Sequence, residues 1–510
     1  MSASDQAEVI AFLSRPQAFA ESEVQRIETH ISIIFLAGGK AYKLKRAVVL
    51  PYLDFSTPDR RRRYCEAEIA VNRRTAPELY ERVALITKEN TGALALDGLG
   101  EPVDYLVVMK RFDQSGLFDH LAETDGLSDQ LMSALADVIA RFHDGAARHY
   151  DKGGCKGMEK VVSINLESLQ RHAGAVFDPA AIQGYGARID GALKQCCELL
   201  DARRKAGFVR HCHGDLHLRN ICLYNGKPLL FDAIEFSDDI ACIDTLYDLA
   251  FLLMDMEHRR LRRLANLVFN RYWGREEAPS LAGLAALPLF LSCRAAVRAH
   301  VGAETAVQSG RGSTGIAESR AYLELAASLL SPPPARLVAI GGLSGTGKST
   351  LAKALAPELG PVPGALILRS DVVRKALFGI SEESRLPAEG YGDAVTARVY
   401  ETIAAKARIA LRAGHSVIAD AVYAKSEERA ALEGIAMRSG APFSGFWLEA
   451  PIDLLERRVA ARLRDASDAT VDVVRRQQEY SIGDIAWRRI DAGQDVSRTL
   501  SAVRDALEPF

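Results

Sequence analysis

The hydrophobic pattern changes period along the chain. His30 to Arg46, HISIIFLAGGKAYKLKR, sets apolar and β-branched residues on both sides of Gly38-Gly39 and predicts a hairpin. Ser56-Thr57-Pro58-Asp59 predicts a helix start, with a hydroxyl cap, proline in the first turn and an acid near the positive end. That helix carries RRRRYCEAEIAVNRR, and Tyr105 to Met109 (YLVVM) follows as a short buried strand. From Leu127 onward the period is helical, as in LSDQLMSALADVIARFH. The reading is a small strand-rich lobe over 1–110 and a mostly helical lobe over 111–330, with the small-residue loop QSGRGSTG before a last amphipathic helix at 316–330. Pro332-Pro333-Pro334 then stiffens a linker over 331–336. Beyond it, 337–510 alternates apolar strands (VAIGG, LILRSD, SVIAD, FSGFWLEA) with helices, which implies a parallel sheet with helical crossovers.

Composition narrows the class. At roughly 150 residues per domain, 510 residues suggest about three units. Lys+Arg is 64 against Asp+Glu 66, a formal net charge of -2, which argues against a nucleic-acid coat or a polybasic membrane binder. The nearest approach to a membrane span, LAGLAALPLFLSC, contains Pro288 and stops at Arg294, and MSASDQAEVI lacks the pattern of a secretory leader, so no membrane association is expected. The 8 cysteines show no CxxC pair and no zinc spacing, and Cys196 adjoins Cys197; all are read as reduced thiols of a cytoplasmic protein.

Gly342-Leu-Ser344-Gly345-Thr346-Gly347-Lys348-Ser349 matches G-x4-G-K-[ST], with an apolar strand before it and a helix from Lys348 after it, and Thr350 is counted with the nucleotide-binding residues. Glycines let backbone N–H groups wrap a phosphate, the helix N-terminus adds positive potential, Lys348 reaches the outer phosphates and Ser349 holds Mg²⁺. No N-K-x-D tetrapeptide is present to read guanine, and SVIAD ends in Asp420-Ala421 without the water-activating glutamate of a motor ATPase. Transfer to a bound acceptor fits better. Asp371, just past the second strand, is placed as base, Arg374 one turn on as substrate anchor, and Asp420 as Mg²⁺ organiser. Arg458 and Arg462 share a helix face, and with Arg464 they are candidate lid cations that neutralise charge in transfer. Residues 337–510 resemble the small P-loop kinases, the group of gluconate kinase, zeta-toxin-like kinases and chloramphenicol phosphotransferase.

A second constellation lies upstream. His213-Gly-Asp215-x4-Asn220 is followed by Asp232 in LLFDAIEF. One carboxylate, Asp215, serves as base; Asn220 and Asp232 offer hard oxygens to Mg²⁺. His213 is expected to brace the loop, and His217 is open to either role. This pattern resembles the aminoglycoside phosphotransferase family, whose fold is that of the protein kinases, over residues 1–330. Arg141-Phe142-His143 and Asp248 in LYDLAF fit the same family. The resemblance implies a lysine for the nucleotide phosphates, a helix glutamate paired with it, and an adenine hinge at Val107 to Met109. Lys43 and Lys45 point to the same face of AYKLK, so pattern does not choose between them; Lys43, deeper in the strand, is preferred. Its partner is Glu68 or Glu66, with Glu68 preferred. Arg60 to Arg63 reads as a solvated helix start. No G-x-G-x-x-G precedes Lys43, and Asp232-Ala-Ile replaces D-F-G, which counts against a protein substrate.

The expected fold is thus an α+β bilobal kinase-like domain followed by an α/β P-loop domain. The expected activity is ATP- and Mg²⁺-dependent phosphoryl transfer to small hydroxylated molecules at two nucleotide sites. A regulatory ATP-binding switch between the halves and a toxin-like kinase acting on a nucleotide sugar or nucleic-acid end are the competing readings, the last weakened by the balanced charge.

Overall fold

The computed structural model describes residues 3–29, 31–50, 53–274, 277–309, 312–461, 466–480 and 482–507. The chain divides into two compact units, Met1–Asp255 with Cys293–Leu323, and Met256–Ser292 with Glu324–Phe510.

The first unit opens with a six-stranded antiparallel sheet in the order Gln25–Glu28, Ser32–Ala37, Lys40–Lys45, Glu101–Lys110, Tyr80–Lys88, Leu94–Leu96. Its two faces follow the strand period of two. Leu106 and Val108 pack with Phe35, Leu44, Ile86 and residues of the helix Ala3–Leu13, whereas Tyr105 and Val107 pack with Cys65 and Ile69 of the helix Pro58–Asn72. Lys43 pairs in register with Val107, so Lys43 and Lys45 face that helix. The helix starts where its cap predicts, with the Thr57 side chain accepting from the Arg60 N–H. Its buried stripe is Arg61, Cys65, Glu68, Ile69 and Asn72, the spacing of one helical face.

That stripe corrects one expectation. Arg61 is not solvated: its side chain is 1% exposed and its guanidinium makes a bidentate pair with buried Asp104, at 2.7 and 3.0 Å. Four arginines in a row cannot all face water on a helix that packs against a sheet, and the second of them falls on the packed face.

The helical part of this unit includes Asp129–Gly145, Gly154–Arg171, Pro179–Lys205 and Thr245–His258, with short ladders pairing Ile221–Tyr224 to Lys227–Leu230 and Val209–His211 to Cys242–Asp244. Cys155 and Cys197, expected as free thiols, are joined by a disulfide with a Cα–Cα distance of 4.6 Å. They lie 42 residues apart, on two helices that pack side by side, so spacing alone does not reveal the pair. The other six cysteines are buried and free.

The second unit is built on a five-stranded sheet in the order Leu366–Arg369, Val417–Asp420, Leu337–Gly342, Phe443–Glu449, Arg488–Asp491, every pairing parallel. The first strand in sequence thus lies in the middle, which brings the loop after Gly342 to the centre of the sheet's carboxyl edge. Residues 256–292, read from sequence as part of the helical lobe, cluster in this unit. Asn266 and Asn270, on the helix Arg262–Trp273, both donate to the Ala365 carbonyl at 3.1 Å, and Asn270 accepts from the Ile367 N–H at 2.7 Å. Side chains thus meet the open backbone groups at the start of this edge strand. Arg271 adds an ion pair to Glu382 at 3.0 Å. Ala278–Val307 is long and apolar enough to cross a membrane, at mean hydropathy 1.6, a length the sequence reading did not find; 72% of its most apolar window is buried in protein.

His415 lies against Phe269 and donates from Nε2 to the Gly364 carbonyl at 3.0 Å. Burial lowers its pKa to about 4, from an ordinary 6.5. An unfolded histidine takes a proton below pH 6.5, while the folded one resists until about 4. The His415 contribution to the stability of the second unit is therefore intact above pH 6.5 and falls by about 3 kcal/mol as pH drops to 4. Thermal melts at pH 6.5 and 4.5 should show a smaller drop for His415→Gln than for the unsubstituted chain; equal drops contradict the assignment.

Candidate active sites

In the first unit, the Glu68 carboxylate sits between two lysines. Lys43 Nζ lies 2.8 Å from Oε1 and Lys45 Nζ 2.6 Å from Oε2. Lys43 continues to Asp232 Oδ1 at 2.5 Å, and Lys45 continues to Glu235. Glu66 lies on the exposed face, paired with Arg62 at 2.9 Å. Sequence left Lys43 and Lys45 as alternatives, but both reach Glu68, because residues two apart on a strand share a face. They differ in access: the Lys43 side chain is 11% exposed and its partner Asp232 44%, while Lys45 is 2% exposed and Glu235 6%. Lys43 is the one beside an opening.

The electrostatics follow from this confinement. Burial pushes the Glu68 carboxyl up, but the two ammonium groups outweigh it and hold its pKa at about 2. Burial pulls Lys43 down, and Asp232 with Glu68 more than restores it, leaving it well above its ordinary value. Glu235 is raised, burial exceeding the pull of Lys45. Two lysines thus face three carboxylates, one of them biased toward its neutral form.

The loop His213–Asn220 is held from beneath by Asp248, which is fully buried. Its Oδ2 accepts from the His213 N–H at 3.1 Å and lies 3.0 Å from His143 Nε2; its Oδ1 accepts from the Gly214 N–H at 2.9 Å. Arg294 donates to the Gly214 carbonyl at 3.0 Å. Gly214 has φ +83°, a backbone conformation that a side chain resists, and a Cβ there would meet Ile234 at 2.9 Å. His213 Nε2 lies 3.0 Å from the Phe231 carbonyl, the bracing role expected for it. Asn220 turns its amide nitrogen to Asp215, 2.9 Å from both the carbonyl and Oδ2, and its amide oxygen the other way. His217 Nε2 lies 3.4 Å from Asp215 Oδ2. Burial raises the Asp215 pKa, but His217, His213 and Arg298 together carry it well below the usual carboxylate range. Asp232 leaves the strand, which ends at Leu230, with φ +62°, and its N–H donates to the Tyr80 hydroxyl at 3.1 Å. Asn220 and Asp232 offer the hard oxygens that suit Mg²⁺.

In the second unit, Gly342, Gly345 and Gly347 all have positive φ. A Cβ on Gly342 would meet the Leu448 carbonyl at 2.6 Å, so the loop's start admits glycine alone. Thr346 Oγ1 donates to the Leu343 carbonyl at 2.8 Å, and Lys348 Nζ donates to the same carbonyl at 3.0 Å. The Ser344 N–H is held by Gln477 Oε1 at 2.8 Å, a position that a phosphate oxygen would take over. Ser349 Oγ donates to Asp420 Oδ2 at 2.6 Å, an oxygen pair that fits Mg²⁺, with Arg369 3.5 Å from the same Oδ2. Thr350 is exposed on the helix Lys348–Leu355. Burial raises the Asp371 pKa, with Arg369 opposing and Asp420 adding to the rise.

The remaining expected residues fall differently. Arg374 is 8% exposed and donates to the Gly390 carbonyl at 2.8 Å and to Thr396 at 3.1 Å, with its guanidinium over the Tyr391 ring. Arg458, expected as a lid cation, donates to the Ala492 and Gln494 carbonyls at 2.8 and 3.1 Å and so ties its helix to the segment after Arg488–Asp491. Arg462 and Arg464 lie outside the described residues. Sequence reasoning passed over Glu235, Arg294, Arg298 and Gln477. Glu235 stands three residues after Asp232 and Arg298 four after Arg294, but only the fold makes these spacings meaningful.

Two family models match the chain, one described as a phosphotransferase enzyme family over residues 52–284 and one as an AAA domain over residues 337–481. A Mycobacterium tuberculosis protein described as uncharacterized is 30% identical over 485 residues, 93% of each chain. The structure of a choline/ethanolamine kinase family protein from Mesorhizobium loti is 13% identical and covers 64% of this chain and 95% of its own, at a TM-score of 0.40. That of the APS kinase of Mycobacterium tuberculosis, in complex with AMPPNP and APS, is 22% identical and covers 35% of this chain and 99% of its own, at a TM-score of 0.26.

Glu68→Gln removes the charge that both lysines share. Breaking a buried ion pair costs about 3–5 kcal/mol, so urea unfolding of the first unit should move to clearly lower concentration; an unchanged midpoint contradicts the shared pair.

Proposed function

From the family of two-domain proteins to which this chain belongs, joining a phosphotransferase domain to a P-loop AAA domain, we propose an ATP-dependent phosphotransferase with two separate nucleotide sites. Each passes the γ-phosphoryl group to a hydroxyl of a small molecule. What supports this reading is that each unit holds a lysine, two side chains offering hard oxygens and a further carboxylate: Lys43, Asn220 with Asp232, and Asp215 in the first, Lys348, Ser349 with Asp420, and Asp371 in the second.

In the first domain Lys43 holds the nucleotide phosphates, and its position is fixed by Glu68. Lys45, enclosed by Glu68 and Glu235, anchors that glutamate. Asp215 orients the acceptor hydroxyl and takes its proton; Asn220 fixes the rotamer of Asp215. In the second domain the N–H groups of the loop Gly342–Ser349 wrap the phosphates, and Lys348 leaves the Leu343 carbonyl to reach the outer ones. Asp371, whose proton affinity burial has raised, is the base for the second acceptor. Mg²⁺ would be held by Asn220 and Asp232 in one site and by Ser349 and Asp420 in the other, and would neutralise part of the phosphate charge there.

Acceptor-dependent ADP release by the full chain tests this directly. Asp215→Ala should remove one activity by about 10²–10⁴-fold and spare the other, and Lys348→Ala should do the reverse. Loss of both activities in either variant, or of neither in both, contradicts two separate sites. Lys43→Met should depress the Asp215-dependent turnover far more than it lowers the unfolding midpoint, whereas Lys45→Met should act chiefly on stability; the opposite split reverses the assigned roles.

A further inference from the structure

The helix Leu287–Ser309 carries two arginines one turn apart. Arg294 donates to the Gly214 carbonyl of the loop and to the Tyr247 carbonyl, at 3.0 and 3.1 Å. Arg298 follows on the same face, four residues on. Its guanidinium lies over the Tyr322 ring, 5.5 Å from the centroid, and hydrogen-bonds with Tyr322; its charge acts on Asp255 and, after it, on Asp215. Asp255 is itself committed to the loop, its Oδ2 accepting from the Leu218 N–H at 3.0 Å. The Arg298 Nε is buried with no hydrogen-bond partner. His217 repeats this state on the same carboxylate: it is 7% exposed, its Nε2 approaches Asp215, and its Nδ1 is buried without a partner. A buried nitrogen left unpaired is costly and is normally filled by protein, water or ligand.

We propose that Arg298 and His217 form the acceptor subsite of the first domain, and that it takes a hydroxylated compound carrying an anionic group, a carboxylate or a phosphate. The proposal rests on the kinase reading of that domain and names its substrate class. A subsite for a cationic amino alcohol would surround the base with free carboxylates. Here His217 Nε2 stands 3.4 Å from Asp215 Oδ2, and the charge of Arg298 acts on the same carboxylate. A guanidinium presents several donors in one plane and matches a carboxylate or phosphate edge. With the anion on Arg298, the acceptor hydroxyl lies toward Asp215. Its oxygen forms the new bond to the γ-phosphorus of ATP, and its proton passes to the Asp215 carboxylate. The bond from that phosphorus to the bridging oxygen breaks, its electron pair leaving with ADP.

The test is steady-state ADP release by the full-length Lys348→Ala chain, in which the second site is silenced. The acceptors are glycerate and glycerol 3-phosphate as anions, glycerol as a neutral control, and ethanolamine and kanamycin as cations. The anionic acceptors should be turned over in an Asp215-dependent manner. Arg298→Met should raise their KM about 10- to 100-fold, leave the KM for ATP within about twofold, and be partly rescued by Arg298→Lys. A preference for glycerate or for glycerol 3-phosphate identifies which anion is read. Should Arg298→Met not fold, Arg298→Lys decides: a raised acceptor KM at unchanged ATP KM supports the subsite, and no change overturns it. Asp215-dependent turnover of ethanolamine or kanamycin alone, or an acceptor KM indifferent to Arg298, overturns the subsite and leaves the kinase reading standing. No Asp215-dependent ADP release with any acceptor overturns both.

Discussion

A charge taken out of water must find its opposite within a few ångströms, and this constraint organises the first domain. Glu68 lies at its centre. Two ammonium groups meet one carboxylate, and each passes on to a second acid, Lys43 to Asp232 and Lys45 to Glu235. The chain of charges ties a sheet strand, a helix and the loop after Leu230 into one arrangement. Asp248 does the same for the loop that carries Asp215, answering two backbone N–H groups and one imidazole from a fully buried position. Neither carboxylate touches the reacting atoms in the mechanism proposed; both decide where the groups that do so stand.

The second domain reaches a similar end by backbone geometry. Its loop needs positive φ at Gly342, Gly345 and Gly347 to direct N–H groups inward. The middle strand of a parallel sheet delivers that loop to the carboxyl edge, and the neighbouring strand delivers Asp420 to Ser349.

Much of this was legible in the sequence, and what was legible was local. The phosphate loop, the His213–Asn220 loop and the capped helix at Pro58 are short, so residue type and spacing nearly determine their geometry. The parallel sheet followed from alternation of strands and helices. The reading failed where contacts join distant segments. The burial of Arg61 depends on Asp104, 43 residues away. The Cys155–Cys197 bond depends on how two helices pack. Lys43 and Lys45 posed a choice that the strand pattern could not make, since one face holds both; only their exposure in the fold separates them.

The central claim is that one chain carries two independent ATP sites. Equilibrium binding of a non-hydrolysable ATP analogue with Mg²⁺ to the full-length chain measures it directly. The account predicts two molecules bound per chain, one in the Lys348→Ala variant and one in the Lys43→Met variant. A single molecule per unsubstituted chain, or loss of all binding from either substitution alone, would contradict it.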